Sequence, residues 1–257
     1  MLSKNSADYY DDYLIMLTAD DIFQLILAEQ IKQGVIPHYL YKYRSIDTLC
    51  LRGLASHSLF FSCLESFNDP FEGKIFFSNQ LKEQTLGMIG VDTTKENIDD
   101  LSYESEKGIT ELQNRQSVCC FSKSNREILL WSHYANWHTG LCLKFDLTKD
   151  LGFFSPILSV SYDSKMTPSD KMSDFLHHLF QRKYKAWRYE KEYRVVKNLL
   201  PGPLQYNSKA LVEVIFGCRT EPADMVLVQS ILGKNVRYKQ CHIDNKAFKL
   251  TIGECDF

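Results

Sequence analysis

Apolar positions in this chain follow two periods, one of three to four residues and one of two, which are the periods of helices and strands. The first period is clearest over residues 171–187, where Phe175 and Leu179 belong to a helical stripe. Glycines end two other predicted helices, Gly34 the first one and Gly233 the last. The pattern predicts helices over residues 19–33, 46–52, 125–134, 171–187 and 222–232.

Short runs rich in β-branched and aromatic residues stand between these helices and predict strands. The predicted strands cover residues 39–43, 58–62, 118–121, 141–145, 158–162, 193–197, 211–216, 236–243 and 248–252. No stretch has the composition of a linker, so we expect residues 39–257 to form a single α+β domain. Residues 1–38 are predicted to be an N-terminal helical extension, and the polar, poorly periodic residues 82–116 a variable helical insertion.

Composition places the chain among soluble globular proteins. Of its 257 residues, 44% are hydrophobic and 24% are charged. The net charge of -2 disfavours a general nucleic-acid coat or a membrane-surface role, although it allows a local basic patch. The chain has no run of about 18 apolar residues that would span a membrane, and its acidic N-terminus lacks the apolar core of a signal peptide. We therefore expect a cytoplasmic protein without a membrane partner.

The cysteines and histidines do not have the spacing of metal ligands. The eight cysteines contain no CxxC pair and stand mostly in apolar runs, which is typical of buried free thiols. His133 and His138 are five residues apart and would diverge on a helix. No metal site is predicted.

Two glutamates, Glu190 and Glu192, stand two residues apart in the segment WRYEKEYRVV and are the strongest candidates for a catalytic pair. If the segment is a strand, both side chains point to the same face, because side chains alternate along a strand. Two carboxylates this close repel each other, so at least one of them needs a cationic partner or water. The alternative is a solvated acidic strand edge with Lys191 and Arg194 as neighbours.

Further candidate residues stand at the ends of predicted strands. Arg44, in YKYRS, precedes a helix, where a guanidinium group can bind a phosphate bidentately; its alternative partner is Asp47. Ser122, in CFS, ends a second strand. Tyr134, in the following LWSHYA segment, is either a core residue or part of a ligand platform. The FNDPFE segment at residues 67–72 is expected to be a structural turn.

These segments together resemble the bacterial domain-of-unknown-function family 2971 (DUF2971). The resemblance rests on the order of YKYRS, FNDPFE, CFS, LWSHYAxxHxGxCLxFD, WRYExEYRVV and VIFGCR. It extends from residue 40 to residue 232, and it depends on the order and spacing of the segments rather than on any one of them. The family name implies no activity, and family analogy alone suggests a bacterial defence or toxin protein.

The order of three elements is also similar to that of the ADP-ribosyltransferase superfamily, whose fold has a split two-sheet core with flanking helices. In that superfamily an Arg or His ends a first strand and contacts NAD, a Ser on a second strand shapes the ribose pocket, and a Glu begins a third strand and is catalytic. The resemblance implies these roles for Arg44, Ser122 and Glu192, with Glu190 acting on the acceptor. The chain departs from the superfamily in its serine segment, which reads Ser122-Lys123-Ser124 instead of Ser-Thr-Ser.

The resemblance thus implies an NAD-dependent ADP-ribosyltransferase or NAD glycohydrolase, with NAD as its substrate. One of the aromatic residues Tyr43, Tyr134 or Tyr189 would stack on the nicotinamide ring, and the acceptor would be a protein, a nucleic acid or a small molecule. One alternative is a metal-dependent nuclease-like enzyme in which Asp69, Glu72 and the two glutamates hold the metal. The other is a non-catalytic module that senses a nucleotide or interacts with a partner.

Overall fold

Mainly antiparallel strands build the protein, whose structure, a computed structural model, describes residues 19–88 and 94–255. The strands of the described residues are β1 Tyr39–Arg44, β2 Ser58–Phe61, β3 Ser117–Ser122, β4 Leu141–Asp146, β5 Ile157–Ser159, β6 Ser161–Asp163, β7 Arg182–Tyr184, β8 Glu192–Lys197, β9 Gly202–Gln205, β10 Leu211–Phe216, β11 Arg237–Ile243 and β12 Leu250–Glu254. The helices are α1 Ala19–Lys32, α2 Thr48–Ala55, α3 Asn79–Met88, α4 Lys95–Asn114, α5 Ile128–Tyr134, α6 Leu151–Phe154, α7 Phe175–Phe180 and α8 Pro222–Leu232.

The largest element is a sheet of eight strands in the order β12-β11-β10-β4-β1-β3-β8-β5. Within it β10 and β11 are parallel, and the other neighbours are antiparallel. Two smaller sheets pair β2 with β9 and β6 with β7. The predicted α+β fold with mixed, mainly antiparallel strands is confirmed.

Both faces of the central strands are buried, because apolar residues occupy consecutive positions along them. Leu143 of β4 belongs to the same apolar cluster as Val228 of α8. Its neighbour Cys142 belongs to a second cluster, which contains Trp131 of α5. Since successive side chains of a strand point to opposite faces, α8 and α5 cover opposite faces of the sheet.

Strands β1 and β3 of the large sheet are joined by a single residue pair, Tyr41 with Ser122. This place is called the narrowing of the sheet. Beyond that pair, side chains of β1 bond to the backbone of the β3 region. Lys42 Nζ donates to the carbonyl oxygen of Cys120 at 2.8 Å, and the Tyr43 hydroxyl donates to that of Ser124 at 2.8 Å. The predicted split two-sheet core is therefore corrected: one sheet of eight strands contains both parts, and β1 and β3, where the parts meet, share a single residue pair.

The predicted helix over residues 171–187 is wrong beyond residue 180. Helix α7 ends there, Arg182–Tyr184 forms β7 beside β6, and Lys185–Glu190 forms a short 3-10 helix. The helical period of the apolar residues is real, but the buried ion pairs of Lys183 and the pairing of its backbone with β6 override it.

The predicted domain boundaries stay predictions. Helix α1 lies in the predicted N-terminal extension, residues 1–18 lie outside the described residues, and the range predicted as an insertion contains α4 and most of α3. No helix within residues 19–88 and 94–255 is both long enough and apolar enough to cross a membrane.

Candidate functional site

A cavity of about 290 Å³ lies at the narrowing of the sheet. Its walls combine the facing parts of β1 and β3, helix α5, the loop after β2 and the start of β8. The lining residues are Tyr41, Lys42, Tyr43, Ser66, Phe67, Asn68, Cys120, Phe121, Ser122, Leu130, Tyr134, Lys183, Glu190 and Glu192. Five of the six residues predicted from the sequence as site residues therefore line one cavity.

At the wall of this cavity, three carboxylates and two cations form a buried cluster. Lys183 Nζ lies 2.5 Å from Glu190 Oε2, 2.9 Å from Glu192 Oε2 and 3.2 Å from Glu72 Oε1. Arg194 Nε donates to Glu192 Oε1 at 2.8 Å, and its Nη2 donates to both oxygens of Glu72 at 2.9 and 2.7 Å. All five side chains are at most 5% exposed. In this cluster, which we call the ion cluster, each charge has an opposite charge as partner, as burial requires.

A backbone turn brings the two glutamates together. Glu190 ends the 3-10 helix, Lys191 adopts a left-handed conformation with φ of 46°, and Glu192 begins β8. Ser122 fixes the turn, since its hydroxyl donates to the carbonyl oxygen of Glu190 at 2.6 Å. The backbone N–H of Glu192 donates to the hydroxyl of Tyr162 at 2.8 Å.

The interpretation of this segment as a solvated acidic edge is wrong, because Glu190 and Glu192 are each only 4% exposed. The expectation that at least one of them has a cationic partner is confirmed, since both bind Lys183.

The carboxyl groups of Glu190 and Glu192 differ in pKa because their surroundings differ. Burial raises the pKa of Glu190 above its ordinary value, and Lys183 offsets this only in part. Burial also opposes ionisation of Glu192, but Arg194 and Lys183 outweigh it and lower the pKa of that group to about 2. Glu192 is thus a permanent carboxylate at neutral pH, whereas Glu190 holds a proton more readily.

Tyr134 connects Glu190 to the opposite wall of the cavity. Its hydroxyl donates to Glu190 Oε1 at 2.7 Å and accepts from the side-chain amide of Asn68 at 3.1 Å. Burial and the nearby Glu190 carboxylate raise the pKa of Tyr134, so its hydroxyl stays protonated and remains a donor. Tyr43 packs its ring edge-on against Trp131, with ring centroids 5.1 Å apart.

Arg44, for which the resemblance implies a contact with NAD, does not line this cavity with Ser122 and Glu192. It lines a different cavity of about 290 Å³ beside α2, together with Cys50 and Gly53. Burial raises the pKa of Cys50 to about 11, and Arg44 limits that rise through its charge and a hydrogen bond. The cation of β1 that lines the candidate site is Lys42, because its side chain extends into the gap between β1 and β3.

Sequence reasoning missed Lys183 as a site residue. It stands in a segment with helical spacing, and no local signal showed that its ammonium group reaches three glutamates. Lys183 also borders another cavity, of about 260 Å³, which Glu72, His178 and Arg182 line on the far side of the ion cluster.

The carboxylates proposed for a metal site are arranged differently. Glu72, Glu190 and Glu192 do converge, but they converge on Lys183 and Arg194. The Asp69 carboxylate accepts the backbone N–H of Phe71 at 2.9 Å, as in the structural turn predicted from FNDPFE. Among the described residues, no group of three or more His, Cys, Asp or Glu side chains is placed to hold a metal ion.

Comparison with curated proteins and with solved structures found no match. Residues 130–195, which include Tyr134, Lys183 and both site glutamates, match the model of a family described as protein of unknown function (DUF2971). This match supports the resemblance seen in the sequence segments, and this part of the chain is similar to the DUF2971 family.

Proposed function

We propose that the protein is an NAD-dependent, ADP-ribosyltransferase-like enzyme whose substrate binds in the cavity at the narrowing of the sheet. The observation that supports this most is the presence of Ser122, Tyr134, Glu190 and Glu192 in one cavity. Of the three superfamily positions, Ser122 and Glu192 line this cavity in the expected order, and Arg44 does not.

The reaction needs groups of the kind that the cavity holds. The bond between ribose C1′ and the nicotinamide nitrogen breaks, and its electron pair leaves with neutral nicotinamide. A positive charge then develops on the ribose, and an acceptor nucleophile or water bonds to C1′ and loses a proton. A carboxylate that is already ionised and fixed in place stabilises such a charge without reorganisation during the reaction.

The separated acidities of the two glutamates suit a division of labour. Glu192 remains ionised and is the group that stabilises the ribosyl cation. Glu190, whose pKa is raised, accepts the proton from the nucleophile, because a base works best when its pKa lies nearer the working pH. Ser122 positions Glu190 through the hydrogen bond to its carbonyl oxygen.

In this proposal Lys42 takes the place of Arg44 as the cation near the diphosphate. An ammonium group attracts phosphate as a single point charge, whereas a guanidinium group binds through two parallel bonds. Because Lys42 lines the cavity and Arg44 does not, Lys42→Met should weaken NAD binding measured by calorimetry, and Arg44→Met should leave it nearly unchanged.

The test is incubation with labelled NAD, with measurement of nicotinamide release and of label transferred to components of a cell lysate. Glu192→Gln should lower both rates on the order of a hundredfold or more, because it removes one preorganised electrostatic group. Glu190→Gln should impair transfer more than hydrolysis, since its role concerns the nucleophile.

Glu72→Gln is the matched control, because Glu72 belongs to the same ion cluster but does not line the cavity. If Glu72→Gln and Glu192→Gln reduce activity equally, the ion cluster acts only through stability and the proposal fails. Circular dichroism of each variant separates loss of fold from loss of chemistry.

One observation favours a second candidate, a nucleotide-binding module without turnover. Both oxygens of Glu192 already accept hydrogen bonds from Arg194 or Lys183. Binding of NAD without nicotinamide release by the unaltered protein would select this candidate over the enzyme.

A further inference from the structure

Two loops at the rim of the candidate site carry a concentration of exposed cations. Lys123 directly follows Ser122, Lys191 stands between the two glutamates, and the N–H of Lys123 donates to the carbonyl oxygen of Lys191 at 3.0 Å. Arg126 follows in the first loop, and Arg188, in the 3-10 helix Lys185–Glu190, precedes the second. These four exposed side chains, Lys123, Arg126, Arg188 and Lys191, are called the basic patch.

Within residues 19–88 and 94–255, none of the four side chains of the basic patch has an ion pair with a carboxylate. Glu127 is the acidic residue of the first loop, and Glu190, the acidic residue of the second, is buried and paired with Lys183. The charge of the patch also reaches the cavity: burial raises the pKa of Tyr41, and Arg126 opposes that rise.

A row of rings lies beside these cations. Tyr189 stands between Trp187, with ring centroids 6.1 Å apart, and His133, with centroids 6.3 Å apart. Trp187 and Tyr189 are half-buried, and His133 is exposed. Cations that follow a phosphate backbone, interleaved with rings on which bases stack, are the two features that single-stranded nucleic acids require of a binding surface.

We propose that the basic patch and its row of rings bind single-stranded nucleic acid and present it to the cavity as the acceptor. The acceptor role rests on the proposed function, whereas the binding itself does not. In the transfer, an oxygen or nitrogen atom of the nucleic acid bonds to ribose C1′ as the bond to nicotinamide breaks, and its proton goes to Glu190. A single strand fits better than a duplex, because its bases are free to stack on protein rings.

The experiment is fluorescence anisotropy with a labelled single-stranded oligonucleotide of mixed sequence, titrated at salt concentrations between about 50 and 200 mM. Lys123→Gln combined with Lys191→Gln should weaken binding about tenfold and reduce the salt slope by about 1.4, which is about 0.7 for each lost phosphate contact. Lys32→Gln combined with Lys234→Gln makes the same change in net charge at exposed positions elsewhere and should leave both quantities unchanged. Tyr189→Leu should weaken binding about tenfold without changing the salt slope, because it removes stacking and not charge.

Several results would overturn the proposal: no binding at the lowest salt, equal weakening by the control pair, or a duplex that binds as well as the single strand. Polyglutamate that competes as well as the oligonucleotide would indicate an acidic protein partner instead. NAD binding by the unaltered protein is measured separately without oligonucleotide. Oligonucleotide binding without NAD binding would then reject the proposed function alone, and the reverse would reject the basic patch alone.

Discussion

Among single residues, the site glutamates show most clearly what local sequence reveals. Glu190 and Glu192 stand two residues apart in the sequence. Because like charges this close repel each other, the need for a cation beside them could be predicted. Their partner Lys183 could not, because it reaches them through the backbone turn at Lys191 and the position of β7. Arg44 was misplaced for a similar reason, since a strand segment alone does not show which side chain enters a gap between strands.

The lowered pKa of Glu192 makes folding stability depend on pH. Because the pKa falls from its ordinary 4.5 to about 2, ionised Glu192 contributes stability that is complete above pH 4.5 and is lost as the pH falls to about 2. Glu72 and Glu190, whose pKa values burial raises, have the opposite sign and favour folding as they gain protons.

We therefore expect Glu192→Gln to reduce the pH dependence of the unfolding free energy between pH 4.5 and about 2, by up to about 1.4 kcal/mol per pH unit. Urea denaturation at a series of pH values measures this. Glu254→Gln, at a side chain that is 84% exposed, is the control and should keep the slope of the unaltered protein. A Glu192→Gln slope equal to that of the control would contradict the assignment.

At the scale of elements, the turn after α5 has a backbone conformation that neighbouring segments hold in place. Asn136, Trp137 and His138 all have positive φ, between 45° and 72°, a conformation that costs free energy for residues with a side chain. Backbone bonds hold it: the N–H of Arg219 donates to the carbonyl oxygen of His138 at 3.0 Å. A Cβ atom on Gly217 would collide with that same carbonyl group.

Gly217→Ala should therefore destabilise the protein by about 1 to 3 kcal/mol or more, because neither backbone can move without breaking the turn. Gly108→Ala is the matched control: Gly108 lies within α4, where a new Cβ would meet nothing within 4 Å besides its own helix backbone, and the change should stabilise by up to about 1 kcal/mol. Chemical denaturation measures both, and similar effects of the two substitutions would show that Gly217 tolerates a side chain.

Many of the helices and strands could be predicted from periodicity, although β9 and α6 were not, and the helix that ends early is the most informative error. The helix expected over residues 171–187 ends at Phe180 because the residues that follow satisfy the ion cluster and pair with β6. The spacing of apolar residues shows which side chains can be buried on one face. It does not show that three carboxylates bind Lys183.

At the scale of the whole molecule, the large sheet consists of two parts of unequal size. The fold class follows from the sequence, since short strands and helices alternate without a linker. That the two parts form one sheet does not follow, because apolar patterns predict strands and not their partners, and β1 and β3 share one residue pair.

This arrangement predicts two groups of amides in native-state hydrogen exchange. Strands β3, β8 and β5 should open together with a lower free energy than β4 and β10, because β3 is joined to β1 by one backbone pair and by the side-chain bonds of Lys42 and Tyr43. Lys42→Met should lower the protection of the smaller group only. Equal opening free energies for all the strands would show that the narrowing is not a mechanical boundary.

Lys183 has a consequence for communication across the protein, because its ammonium group borders both the candidate site and the cavity beside His178. Any molecule that entered the second cavity and drew Glu72 away would leave the whole charge of Lys183 to Glu190 and Glu192. The proton of Glu190, whose pKa burial raises, would then be released more easily. The acidity of Glu190 in the candidate site would in this way depend on what occupies the cavity beside His178, although no backbone atom needs to move.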